Sequence, residues 1–252
     1  MKRLAFAFLL MVTPASADEL YSLYAGGNYE EAMRAGAAAG TSEGFAIAAR
    51  AALADAAIRP QPCLACLRRA EDFARRAVAT DTHEADGHVW LAAALGLEGR
   101  IIGMIRARLA NSPGEAKDEL DAALKDDPRN AYALAAAGGW NIEIVRAGGG
   151  FLARTLYGAR ETDGIALFDR AVEAAPGNVA VRYQIGLSLA GYKPELFRGR
   201  IAQELEAAIA DTPQTSYEKF IQARAAELLA LQRKNDPDAF AVKVRKFQGY
   251  PD

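Results

Sequence analysis

Ala116, Leu120, Ala123 and Pro128 stand at offsets of zero, four, seven and twelve along one stretch, and this register returns four more times. It recurs as Gly164, Phe168, Ala171, Pro176 and as Ile201, Leu205, Ala208, Pro213. Earlier in the chain it recurs as Ala70, Ala74, Ala77, Thr82 and as Ala32, Gly36, Ala39, Gly44. On a helix of 3.6 residues per turn, such offsets place the first three residues on one stripe. Small residues at its ends let a neighbouring helix approach closely, and a larger middle residue fills the gap. In three of the five cases a proline then stops the helix, because it cannot continue the hydrogen-bond ladder.

Each such helix follows another with apolar residues at helical spacing, as in "EADGHVWLAAALG", "NAYALAAAGGWNIEI" and "VAVRYQIGLSLAG". Alanine dominates the composition, β-branched residues are sparse and strand-like alternation is hard to find, so the expected class is all-α. The first residues of successive registers are 38, 46, 48 and 37 positions apart. These steps exceed the roughly 34 residues of a common helix-pair repeat. The two longest hold insertions, "GRIIGMIRARLANSP" (Gly99 to Pro113) and "RAGGGFLARTLYGARE" (Arg146 to Glu161). Both are expected to prolong the first helix and fold back. "IIGMIRARLA", with Arg100, Arg106 and Arg108 in or beside it, has the composition of a membrane-surface segment. Because it is short and broken by Gly103, internal packing is the expectation. The Gly148–Gly150 triplet lacks the preceding strand and the Lys-Ser/Thr helix start of a phosphate cradle. It reads as a bend or a close helix crossing.

The segment "GGNYEEAMRAGAAA" and the junctions "DPRNAYAL" and "APGNVAVRY" resemble tetratricopeptide repeats. The expected fold is therefore an all-α, tetratricopeptide-like right-handed helical-repeat solenoid of about five helix pairs with insertions. It forms one domain over residues 18–252. The last helix, "SYEKFIQARAAELLALQRK", is expected to cap its end. A narrower resemblance covers roughly residues 85 to 210. Gly138 or Gly139, Trp140, Ile142, Glu143, Tyr157, Gly158, Phe168, Ala171 and Pro176 resemble the regulator of microtubule dynamics family. The chain departs from that pattern at Asn141 and in lacking a proline after Gly158. Animal members are associated with membrane contact sites, and a phospholipid-binding repeat domain occurs among them. The resemblance thus implies a ligand-holding repeat domain, whereas a microtubule role does not transfer to an exported protein.

Export is expected from the first residues. Lys2 and Arg3 precede the apolar run Leu4 to Val12, and "ASA" (Ala15 to Ala17) offers a cleavage site. This is the layout of a signal peptide over residues 1–17, with a periplasmic or secreted location to follow. The formal charge of −2 gives no basic face for nucleic acid. No later run approaches the roughly 20 apolar residues of a membrane span.

Catalytic and metal chemistry find little material. The only histidines, His83 and His88, are five apart, so on a helix they diverge by about 140° and do not make a zinc pair. His88 is expected to pack between repeats. Cys63 and Cys66 allow a short disulfide, inert thiols or a redox pair. No cofactor is implied. Counting back from the repeat prolines puts Asp86, Val89, Ala93, Gly96 and Leu97 on a concave face. Tyr132, Ala135, Gly139, Ile142 and Glu143 follow on the next helix, then Ala180, Tyr183, Leu187 and Ala190. This face is small, apolar and aromatic. The insertions could fill it, or it could form a cavity with Glu143, Arg146 or Arg154 near its mouth. The candidate ligand-binding residues are Trp140, Glu143, Arg146, Tyr132, Ile142, Tyr183 and Leu97. The functional expectation is a non-enzymatic exported scaffold with an unidentified protein partner. The alternative is a binder or carrier of a lipid or other apolar small molecule.

Overall fold

The computed structural model describes residues 15–251, and among them the chain is all-α, with thirteen helices and no strand. The first fourteen residues of the expected leader lie outside this range. The leader's end does not: Ser16 caps the first helix, accepting from the Glu19 amide while the Glu19 carboxylate takes the Ser16 amide.

The helices run in pairs. The first members are α1 (Ala17–Ala25), α3 (Ser42–Ile58), α5 (Ala85–Ile102), α8 (Ala131–Tyr157), α10 (Val179–Ala190) and α12 (Ser216–Lys234). The second members are α2 (Tyr29–Ala39), α4 (Leu64–Thr80), α7 (Ser112–Asp126), α9 (Glu161–Ala174), α11 (Arg198–Ala210) and α13 (Pro237–Phe247). Each packs on its partner and on the helix next in line. The Asn of each Pro-x-Asn or Pro-Gly-Asn junction starts a first helix: Asn130 accepts from the Ala133 amide and Asn178 from the Val181 amide.

All five occurrences of the repeated register fall on second helices. Every one of their first three residues is buried except Ala39, which is half-buried. The small positions sit where backbones meet. A methyl placed on Gly36 would lie 2.4 Å from the Gly44 carbonyl, and one on Gly138 would lie 2.5 Å from the Phe168 ring. These are the crossings of α2 with α3 and of α8 with α9. Gly138 and Phe168 belong to that second contact, and so does Ile142, which is buried beside Gly164 and Phe168.

The insertions part company with expectation. The first runs through Gly103, whose φ of 87° ends α5, into a separate six-residue helix, α6 (Met104–Leu109). The second stays within α8 but is broken at Gly149, with φ 73° and ψ 159°. The glycine triplet is therefore a bend. Nothing lies within 4 Å of a Cβ built on Gly149 or Gly150, so it is not a close crossing. Internal packing holds for Ala107 and Ala153 alone among the residues from Met104 to Leu109 and from Gly148 to Leu156.

The end of the chain also differs. α12 is followed by α13, which makes a sixth pair, and α12 touches both α1 and α3. The Arg224 guanidinium donates to the Ala57 carbonyl at 3.0 Å, and Arg100 donates to the Gln248 carbonyl at 2.9 Å. The row thus curls until its last pair meets its first helices, where α12 was expected to be the last helix and to cap the end. His88 is buried, within 2.5 Å of a Glu119 carboxylate oxygen and 3.0 Å of the Thr82 carbonyl. Cys63 and Cys66 are joined by a disulfide at the start of α4.

One buried acid makes stability depend on pH. Glu98 on α5 is buried facing Glu71 on α4, and one of its carboxylate oxygens has no hydrogen-bond partner. Burial, and then the neighbouring Glu71, push its pKa up to about 7 from the ordinary 4.5. Between those values the folded chain holds a proton that the unfolded chain has lost. This group's contribution to stability therefore falls as pH rises through that window. Replacing Glu98→Gln is expected to flatten the fall, with the variant more stable than the parent by on the order of 1 kcal/mol at alkaline pH. Urea unfolding on either side of the window checks it, and equal pH slopes for the two proteins would overturn it.

Candidate functional site

The curl of the first helices leaves a cavity of about 1020 Å³. That is at the upper end of the roughly 300–1,000 Å³ usual for small-molecule sites. The insertions do not fill it. They form part of its wall, along with α1, α3, α5, α8, α10, α12, the first half of α7 and the end of α13.

The wall is largely apolar. Val89, Ala93, Gly96 and Leu97 of α5 face it, as do Ala135, Gly139 and Trp140 of α8 and Ala180 and Leu187 of α10. Trp140 holds the two insertions together. Its indole N–H donates to the Pro113 carbonyl at 2.9 Å, and its ring meets Tyr157 edge-on at 6.3 Å between centroids. No protein-family model matches this chain, and no curated protein matches it. Its function must be read from the cavity itself.

Polar groups in the wall form two clusters. At the rim, Glu143 accepts from Arg146 at 2.6 and 3.1 Å and from the Tyr250 hydroxyl at 2.5 Å, and Arg146 also donates to Tyr250. Burial alone would raise the Glu143 pKa. The Arg146 hydrogen bonds and the charges of Arg100 and Arg146 outweigh it, and the carboxyl titrates below the usual range. The rim charges thus answer one another and tie the C-terminal segment across the cavity.

The inner cluster is not balanced in this way. Arg50, the one cation of α3, stacks among Tyr24, Trp90 and Tyr132, with its guanidinium carbon 4.6 to 5.2 Å from their ring centroids. It donates to the Tyr132 hydroxyl at 2.8 Å. Arg224 lies over Phe220 and Phe247. Among the described residues neither arginine is ion-paired with a carboxylate. Tyr217 lies near both: burial raises its pKa, and the charges of Arg224 and Arg50 oppose that rise without cancelling it. Tyr183 is buried beside Arg224, and burial raises its pKa further than the Arg224 charge lowers it. Both guanidiniums thus hydrogen-bond only neutral oxygens, Arg50 to the Tyr132 hydroxyl and Arg224 to the Ala57 carbonyl, so two positive charges face an apolar hollow with no carboxylate beside them.

Of the sequence-derived candidates, Trp140, Glu143, Arg146, Tyr132, Tyr183 and Leu97 line this one cavity. Ile142 does not: it faces α9, in the core around Phe168. On the concave list, Asp86 instead accepts from Asn130 at 3.1 Å, and Ala190 is buried in the same core as Ile142. Arg154 is exposed and lies outside the wall. Sequence reasoning missed Arg50, Arg224, Tyr24, Trp90, Tyr217 and Tyr250. The available signal for Arg50 was a single cation in seventeen residues of helix otherwise rich in alanine.

Proposed function

We propose that this chain is a non-enzymatic, exported tetratricopeptide-like protein that holds an amphipathic small molecule, with an apolar body and an acidic group, inside its curled helical row. The observation that carries this reading is the cavity wall: apolar over most of its extent, with Arg50 and Arg224 in it and, among the described residues, no carboxylate ion-paired with either. An acidic group there would complete charge-assisted hydrogen bonds of about 1.5–3 kcal/mol each. The scaffold alternative needs an open concave face. The contacts of Arg224 with Ala57 and of Arg100 with Gln248 bring the C-terminal helices across that face, which favours a small ligand held between the helices over a docked peptide.

Native mass spectrometry of protein purified from its own host should show a small-molecule adduct, and a clean mass across protein concentrations would count against the proposal. A sharper comparison uses two probes of equal chain length, dodecanoate and dodecanol. The double change Arg50→Met, Arg224→Met is expected to weaken dodecanoate by roughly tenfold or more while leaving dodecanol within about twofold. Equal losses for both probes would remove the acidic-group assignment.

A further inference from the structure

Six large apolar side chains stand exposed on the two insertions: Met104, Ile105, Leu109, Phe151, Leu152 and Leu156. Leu109 and Phe151 are 83% and 80% exposed, values suited to residues that pack on something outside the chain. Each segment leaves its parent helix at a glycine with positive φ, Gly103 or Gly149, around which nothing lies within 4 Å of a built Cβ. The exposure therefore follows from backbone turns that aim these residues outward. Five of the six also line the cavity, so they stand at its rim.

Charge separates this rim from the rest of the chain. From Gly99 to Gly114 and from Ile144 to Arg160 there are six arginines and no aspartate or glutamate, in a protein whose formal charge is −2. Of these, Arg106, Arg108 and Arg154 stand exposed among the apolar tips.

We propose that the two tips dock the cavity rim on the surface of an anionic lipid bilayer. Apolar side chains flanked by arginines enter the interface while the guanidiniums stay among the lipid phosphates. Charge argues against the same patch pairing with itself, because a two-fold contact would set these arginines against their own copies. The occupant is a bilayer surface approached from one side, since among the described residues no helix is long and apolar enough to cross a membrane. Docking there would set the cavity rim against the acyl region. That consequence rests on the proposed ligand cavity; the docking itself rests on the tips alone.

Flotation with vesicles tests it. The full chain should float with mixed phosphatidylglycerol–phosphatidylcholine vesicles and stay behind with phosphatidylcholine alone. Phe151→Ser, outside the cavity wall, should cut recovery roughly tenfold. Arg106→Glu with Arg154→Glu, also outside the wall, should cut affinity at least thirtyfold, at about 1 kcal/mol for each cation lost. Thermal unfolding of each variant should match the parent. No flotation by the parent, or parent-like flotation by both variants, would overturn the proposal. So would a native mass in which Phe151→Ser splits a dimer, because the tips would then be a self-association face. A chain that floats but carries no ligand would sink the cavity reading and leave the docking surface standing.

Discussion

Phenylalanine at Gly96 and Gly139 together expels the amphiphile without unfolding the chain. Both glycines line the cavity, on neighbouring first helices α5 and α8. A Cβ on Gly96 meets nothing within 4 Å, and one on Gly139 meets only the Ser188 hydroxyl at 3.5 Å, an ordinary contact. Two phenyl rings therefore grow into the hollow without pushing helices apart. Glycine is among the worst residues for a helix interior, so each change should return about a few tenths of a kcal/mol of helix propensity. The variant is expected to melt at or above the parent temperature and yet lose probe binding by roughly tenfold or more, equivalent to at least about 1.4 kcal/mol. Displacement of a fluorescent fatty acid, read beside a thermal melt, separates the two effects. Parent-like probe affinity would place the ligand elsewhere; a collapsed melting temperature would mean that the hollow is smaller than its wall implies.

The second helices were legible because their register repeats. Small, large and small residues at four- and three-residue spacing can bury only one stripe, and Ala116, Leu120 and Ala123 are buried together as that spacing requires. The first helices were harder, since each has two apolar faces. On α8, Leu134, Gly138 and Ile142 share one stripe, which meets α9. Tyr132, Ala136, Gly139 and Glu143 share another, which meets the cavity. Both stripes are largely apolar or small, so periodicity alone could not assign Ile142, and counting from the prolines set it one face away. The insertions were ambiguous for a related reason. "IIGMIRARLA" has the same composition whether it packs inward or stands out, and the deciding fact is the positive φ of Gly103, a backbone turn that composition does not specify. Closure of the helical row was not legible either: the bond from Arg224 to the Ala57 carbonyl spans most of the chain, and no local pattern encodes it.

These unequal legibilities follow the division of labour in the molecule. Residues that repeat hold the helices at fixed spacing, and residues that do not repeat make the site. Arg50, Arg224 and the two tips each occur once, because a curled row of similar pairs has one interior and one rim.

The same chemical change, glycine to alanine, should have opposite signs at two places in this fold. At Gly96 it adds a methyl to empty space within a helix and should stabilise by about 0.5–1 kcal/mol. At Gly36 the added methyl would sit 2.4 Å from the Gly44 carbonyl oxygen and 3.3 Å from the Ala48 Cβ. The obstacle there is backbone, which cannot swing aside as a side chain could. Reciprocally, a methyl on Gly44 would come 2.7 Å from the Gly36 carbonyl, so the two helices touch glycine to glycine. Gly36→Ala must push α2 from α3 and loosen the core that Ala32, Met33 and Tyr29 share with Ala51 and Ala52. Such overpacking costs about 1–3 kcal/mol, and the upper part of that range is expected where backbone meets backbone. For a chain of this length that corresponds to a melting temperature lower by roughly 5–10 °C. Parallel thermal melts of the two variants decide it. A neutral or stabilising Gly36→Ala would mean that α2 and α3 are farther apart than this register demands, and the close-packed role of the small positions would fall with it.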